Sequence, residues 1–317
     1  MTTDTNRKRS SSSNSPSRSD SPANGDEDDA LERGATPAPA TETDSASQTA
    51  PLATRTVTRW LPSGLAIPAL LGAVLLGYFI VPFAVFFLQV GSVDVLSGLA
   101  DPTVQQAIQS SLLTAPISTA IATVFGVPLA YVLSRASFRG KRLLEAAVLI
   151  PLVLPPIVGG VVLLTVVGRY TPIGAAAAAL GYPLTGSHAG VILAQTFVAA
   201  PFLVVTAKAG FDSVDRRLEE AARTMGYGPL ETARLVSLPL ARNAIGAGII
   251  LTFVRAIGEF GATMMVAYNP RTMPTQIRVS YISHGLEAIV PIALALIAIT
   301  LAVTIAVQLL VGTPRQL

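Results

Sequence analysis

The chain has 317 residues, of which 51% are hydrophobic and only 13% charged, and its mean hydropathy is +0.57. That balance excludes an ordinary soluble domain and defines a polytopic membrane protein. With no Cys and two His, disulfides, thiolate metal sites and Cys nucleophiles are excluded, and neither a multi-His metal centre nor any cofactor is expected. The net charge of +3 identifies no partner, nucleic acid included, because residues 1–58 alone hold nine acidic and six basic side chains.

Residues 1–58 are rich in Ser, Thr, Pro, Ala and Asp and include the acidic run Asp26-Glu27-Asp28-Asp29. Without apolar periodicity to offset the entropy of ordering, this stretch is expected to be a disordered tail. The first apolar run begins past residue 60 and is span-length, so it is expected to stay as a membrane helix rather than be removed as a secretory signal. Residues 59–317 are expected to form one transmembrane domain.

About 20 apolar residues are needed to cross a bilayer core of roughly 30 Å. Six stretches qualify, at Ala66–Val90, Ala107–Leu133, Ala146–Val167, Ala189–Ala207, Ala244–Ala267 and Ala288–Val311. The expected fold is therefore an all-α bundle of six transmembrane helices. The Ala-rich run Ile173–Leu180, bounded by Pro172, Gly181 and Pro183, is too short to cross and is expected as a short helix at the outer surface.

The loops after the second and fourth spans hold ten Lys and Arg residues, from Arg135 to Arg142 and from Lys208 to Arg242, and the odd-numbered loops hold three, Arg169, Arg271 and Arg278. The positive-inside rule places the basic loops and both termini in the cytoplasm of a multi-pass protein of the cell membrane. The cluster Arg135 to Arg142 is expected to enforce this topology and to meet anionic headgroups of the lipid bilayer.

The basic loop 208–243 is a charged island between spans four and five. Val214, Leu218, Ala221, Ala222 and Met225 recur at helical spacing and define an apolar face, leaving Asp215, Arg216, Arg217, Glu219, Glu220 and Arg223 on the other. Gly226 is expected to end this helix by turning with positive φ. Gly228-Pro229 opens a second short helix to about Val236, and Pro239 precedes the next span. Pattern alone is equally consistent with an amphipathic loop resting on headgroups.

Glu220-Ala221-Ala222, three residues, Gly226, nine residues, Val236, one residue, then Leu238-Pro239 resembles the cytoplasmic signature loop of ABC importer permeases, with Val where that pattern usually has Ile. The resemblance implies that this loop is a coupling helix seated in a groove of an ATP-binding subunit. The chain has no phosphate-binding loop of its own. Its only Gly-Lys pair, Gly140-Lys141, has Arg135 where the first Gly belongs and Arg142 where the hydroxyl belongs.

Two further stretches carry chemistry inside the spans. Arg255 and Glu259, four apart in span five, are either an intrahelical ion pair facing the bundle interior or residues that line or gate a path. Pro151, Pro155 and Pro156, followed by Gly159-Gly160, mark span three as kinked, either for packing or as the kind of broken helix from which transporters build gates. Pro151 to Gly160 with Gly168 to Gly174 looks like the molybdate-type permeases, and Arg255 to Thr263 resembles the molybdate, tungstate and sulfate group. Val266 to Pro270, Pro274 to Ile277 and Glu287 to Pro291 are similar to archaeal tungstate/molybdate permeases.

The similarity spans residues 65 to 312. It implies a type I importer fold, two such chains (a homodimer being the simplest case) around one pathway, an ATPase subunit on each, and an extracellular binding protein that delivers molybdate, tungstate, sulfate or thiosulfate. Arg169, Arg271, Arg278 and His284 are candidates to attract a dianion or meet that binding protein, or are ordinary solvated charges. His284 and His188 show no metal-ligand spacing. Two rival classes remain on the residues alone. An intramembrane hydrolase or lipid-modifying enzyme using Glu259 and Arg255 lacks any His-Glu-x-x-His motif or His within a span. A self-contained carrier or channel would leave the island without a purpose.

Overall fold

The computed structural model describes residues 65–91 and 93–311, and no strand occurs among them. The tail expected at 1–58 lies outside the described residues. The helix α1 (Ala66–Val90) is followed by α2 (Val95–Ala100) and by α3 (Pro102–Arg135), whose first turn is closed by Asp101 accepting the Thr103 N–H at 2.7 Å. At about 1.5 Å per residue, α3 is about 51 Å long and outreaches the hydrocarbon. The helix α7 (His188–Asp212), capped by Ser187, runs down the middle of the bundle against α3 and against the later helices.

Buried hydroxyls line α3, and one of them, Ser118, ties it to α7. Thr114, Ser118 and Thr119 each return a hydrogen bond of 2.8 Å to the carbonyl four residues earlier, and Ser118 also reaches Gln195 Oε1 at 2.9 Å. Small residues in those positions let the helices approach closely. The two ends of the bundle are marked by side chains: Ser110 stands 3.3 Å from His188 at one, and Ser134 meets Asp212 at the other, where the island begins.

The third expected span is broken rather than kinked. The helix α4 (Lys141–Val153) carries Pro151 inside it, and α5 (Pro156–Val167) starts afresh at a bend of 118°. Pro155 and Pro156 supply no N–H to continue α4, which closes with Leu154 donating to the Ile150 carbonyl. The pair still leads from one end of the bundle to the other. Glu145 of α4 lies 3.6 Å from Lys208 near the island, while Val167 at the end of α5 packs with Ala194 and Val266. The Ala-rich run forms the short helix α6 (Pro172–Ala179), as expected.

The fifth span is also discontinuous, against the expectation of one helix over 244–267. After α8 (Arg216–Thr224), the chain enters α9 (Pro229–Thr232), a π-helical turn at Ala233–Ser237 and α10 (Leu238–Ile257) without interruption. The second island helix is thus the start of the span itself, and Pro239, inside this continuous run and without an N–H to give it, lies just past the widened π-helical turn. Gly258–Phe260 interrupts the helix before α11 (Gly261–Val266). The stretch holding Arg271 and Arg278, expected as a loop, contains the twelve-residue α12 (Met273–His284), and α13 (Val290–Val311) closes the fold. Five helices have span length and apolarity among the described residues, and they number six when the bent α4–α5 pair is counted as one broken span.

Candidate functional site

The island is fastened to the bundle by a buried ion pair. Glu219 is 4% exposed and accepts from Arg135 Nε at 2.8 and 2.9 Å and from Ser237 Oγ at 2.7 Å, with Arg135 Nη2 at 2.7 Å. Arg135 also donates to the Val214 carbonyl at 3.3 Å. Burial raises the Glu219 pKa, but the bonds from Arg135 and Ser237 and the charge of Arg135 outweigh it and hold the carboxyl below its ordinary range. Arg135 is therefore turned inward to protein, not to headgroups.

This anchoring divides the expected apolar face: Val214 and Ala222 are buried, and Leu218, Ala221 and Met225 are exposed. Glu219 and Ala222, three apart, point into the bundle, and Ala222 is 3% exposed. Leu218, Ala221 and Met225 point out with Glu220, and Met225 is 72% exposed. Gly226 turns at φ +93° with its N–H on the Arg223 carbonyl, as expected for a residue ending the helix. Beyond it Tyr227, Leu230 and Leu235 are exposed, Leu230 at 81%. Leu238 and Pro239 lie at the exposed root of α10. Sequence reasoning missed Glu219 and Ser237. The three-residue spacing of Glu219 to Ala222 was the available signal, but the partner Arg135 is 84 positions away.

The two helix breaks meet inside the bundle. A Cβ on Gly160 would stand 2.8 Å from Ala262 Cα, and one on Gly261 would stand 2.9 Å from both Ile157 N and Pro156 Cβ. Only glycine permits that approach of α5 to α11. Glu259 is 1% exposed; its Oε1 accepts the Ala262 N–H at 2.8 Å, closing the first turn of α11, and its Oε2 pairs with Arg255. The expected Arg255–Glu259 pair exists, but across the end of α10 rather than within one helix. Beside it the hydroxyl of Thr263 is fully buried with no partner among the described residues. The structure brings Pro156, Glu259 and Arg255 to one neighbourhood and leaves Pro151 within α4.

At the opposite end from the island, Arg169, Arg278 and His284 are exposed, while Arg271 is half-buried against Tyr268 and Gln276. No group of three His, Asp or Glu side chains gathers as a metal site among the described residues.

A helical bundle with an anchored island at one end and two abutting helix breaks within it is a multi-pass membrane transport subunit of the type I importer fold. A bacterial ABC transporter that imports the acidic polysaccharide alginate shares that fold, with a TM-score of 0.62 over 78% of this chain and 96% of its own at 14% identity. Residues 122–313 match the family described as binding-protein-dependent transport system inner membrane component, and the chain belongs to it. It is 49% identical over 269 residues to a probable molybdenum ABC transporter permease protein of Haloferax volcanii, covering 83% of this chain and 96% of that one. It is 39% identical over 246 residues to the molybdate/tungstate transport system permease protein of Thermococcus kodakarensis, covering 77% and 94%.

Proposed function

We propose that this chain is the membrane-spanning subunit of an ATP-driven importer for a tetrahedral oxyanion, molybdate or tungstate, and that its island is the contact for a separate ATP-hydrolysing subunit. The observation that carries the reading is the outward apolar tip of Leu218, Met225, Tyr227 and Leu230, held by the Arg135–Glu219–Ser237 anchor. A solvated loop gains nothing from such a tip, whereas a docking helix buries it. Glu220, Ala221 and Gly226 shape the contact surface, Leu238 and Pro239 form its root, and Ala222 packs inward to support it.

The oxyanion assignment rests on the molybdenum and molybdate/tungstate relatives and on the cationic Arg255 beside the helix breaks. With the island in the cytoplasm, as its basic residues favour, an extracellular binding protein delivers the anion to the opposite end, and a second copy of this chain completes the pathway about a two-fold axis. Nucleotide binding favours one arrangement of the ATPase pair over another. The islands carry that difference to α10, and the breaks at Pro155-Pro156 and Gly258–Phe260 let α5 and α11 reorient as a gate.

The test is copurification and uptake in reconstituted vesicles. Glu220→Lys and Leu230→Glu, both at exposed positions, are expected to release the ATPase subunit while the permease remains folded. An intact, transporting complex from both variants refutes the docking role, and vesicles that accumulate neither molybdate nor tungstate refute the substrate.

A further inference from the structure

The end of the bundle away from the island contains a polar cavity of about 310 Å³. Helix α3 presents Thr103, Gln106 and Ser110 to it from one face, and the segment from α11 into α12 closes it with Asn269, Pro270, Arg271 and Gln276. Six of these seven residues are polar, the one formal charge among them is positive, and no carboxylate lines the cavity. It has room for a tetrahedral anion with part of its hydration shell.

Arg271 is held from two sides. Its Nη1 donates to Gln276 Oε1 at 3.1 Å, and its guanidinium carbon stands 5.4 Å from the centre of the Tyr268 ring. Its Nε is buried with no acceptor among the described residues, and no carboxylate there pairs with it. Nε is thus closed off from the cavity, and the part of the guanidinium left to a ligand is Nη2, which makes no hydrogen bond among the described residues. Thr272, next in the chain, begins α12, whose positive end adds to the field.

The opposing charge is Asp101. Its Oδ1 takes the Thr103 N–H at 2.7 Å and the Thr103 hydroxyl at 2.6 Å, so that hydroxyl is already committed. Asp101 faces an adjoining cavity with Asp94, His284 and Glu287, not this one. Gln276 Nε2 is likewise engaged, by Thr103 and Ser280. The donors left for a ligand are Arg271 and the side-chain amides of Gln106 and Asn269; the Ser110 hydroxyl is paired with the His188 ring nitrogen at 3.3 Å.

We infer that this cavity is an oxyanion-binding site on the permease itself, where Arg271 pairs with a molybdate- or tungstate-like dianion and the side-chain amides of Gln106 and Asn269 steady its other oxygens. The inference rests on the oxyanion reading above and adds to it a receiving station. One cation beside an acidic neighbour gives binding loose enough for the anion to leave again, which passage requires.

The probe is tungstate, measured by equilibrium dialysis on the full chain assembled with its ATPase subunit in lipid nanodiscs. About one tungstate per chain, displaced by molybdate, is expected, with affinity lowered about tenfold or more by Arg271→Gln. Gln106→Glu changes an exposed residue and sets a carboxylate on the cavity wall, so it is expected to weaken binding about tenfold too. If Arg271→Gln does not assemble, Gln106→Glu decides alone. Binding unchanged in the assembled variants, or no tungstate bound at about 10 mM, overturns the site. Should tungstate binding follow Arg271 while the complete complex accumulates no oxyanion, the site stands and the importer substrate falls. Normal molybdate uptake with binding indifferent to both changes has the opposite meaning.

Discussion

Arg135→Ala tests the anchoring of the island directly. The substitution removes the contacts at 2.7, 2.8 and 2.9 Å to Glu219 and the bond to the Val214 carbonyl, leaving a carboxylate that is 4% exposed with Ser237 as its one remaining hydrogen-bond partner. Removing one member of a buried pair typically costs about 3–5 kcal/mol, because the other charge stays buried without compensation. Local opening of α8 thus becomes easier by about two to four orders of magnitude, up to the limit set by larger openings. Hydrogen exchange followed by mass spectrometry on the full chain in nanodiscs reads this as faster exchange in peptides covering Leu218 to Tyr227, with α3 and α7 unaffected. Arg135→Lys, which lacks the planar fork, is expected to fall between the two. The double variant Arg135→Ala with Glu219→Ala is expected to recover part of the loss. Unchanged protection in Arg135→Ala refutes the anchor.

The same pair sets a pH dependence. Because the folded pKa of Glu219 lies below its ordinary value of 4.5, its stabilising contribution is complete above that pH and is lost as pH falls through the lower folded value; protection of α8 measured between pH 7 and 3 is expected to decline only below about 4.5. Gly226→Ala meets no neighbouring atom, so its cost is the positive φ alone, about 1–2 kcal/mol, and Gly226→Asn is expected to retain more of the ATPase complex in copurification than Gly226→Ala. Gly160→Leu forces α5 from α11, and loss of uptake with the ATPase subunit still bound is the expected pattern; normal uptake argues against a gate at that contact. Arg255→Ala is expected to cripple oxyanion uptake without dissociating the complex, whereas wild-type uptake returns Arg255 to a purely structural role.

The sequence made the spans and the island legible because hydropathy and loop charge are local signals. Ala66–Val90 forms one helix over those same residues, and Gly226 turns as its position after α8 requires. What escaped were features set by distant partners. Hydropathy averages over Gly258-Glu259-Phe260-Gly261 and so misses a helix that stops at Ile257 and restarts at Gly261. Which of two adjacent glutamates faces inward depends on Arg135, brought near only by packing α3 against α7, and the periodicity of the apolar residues carries no signal for it. The prolines of span three did announce a bend, but its size, 118°, depends on α5 lying against α11 through Gly160 and Gly261.

The unbroken helical run from Pro229 to Ile257 has a mechanical consequence. Its 29 residues span about 44 Å, so a tilt of about 5° where Leu230 is gripped displaces the other extremity by about 4 Å. That extremity is where Arg255 and Glu259 sit. The chain therefore needs no relay of small rearrangements between its two ends: a stiff lever already joins them, and the widened coil at Ala233–Ser237 is the one place along it with slack to absorb a twist.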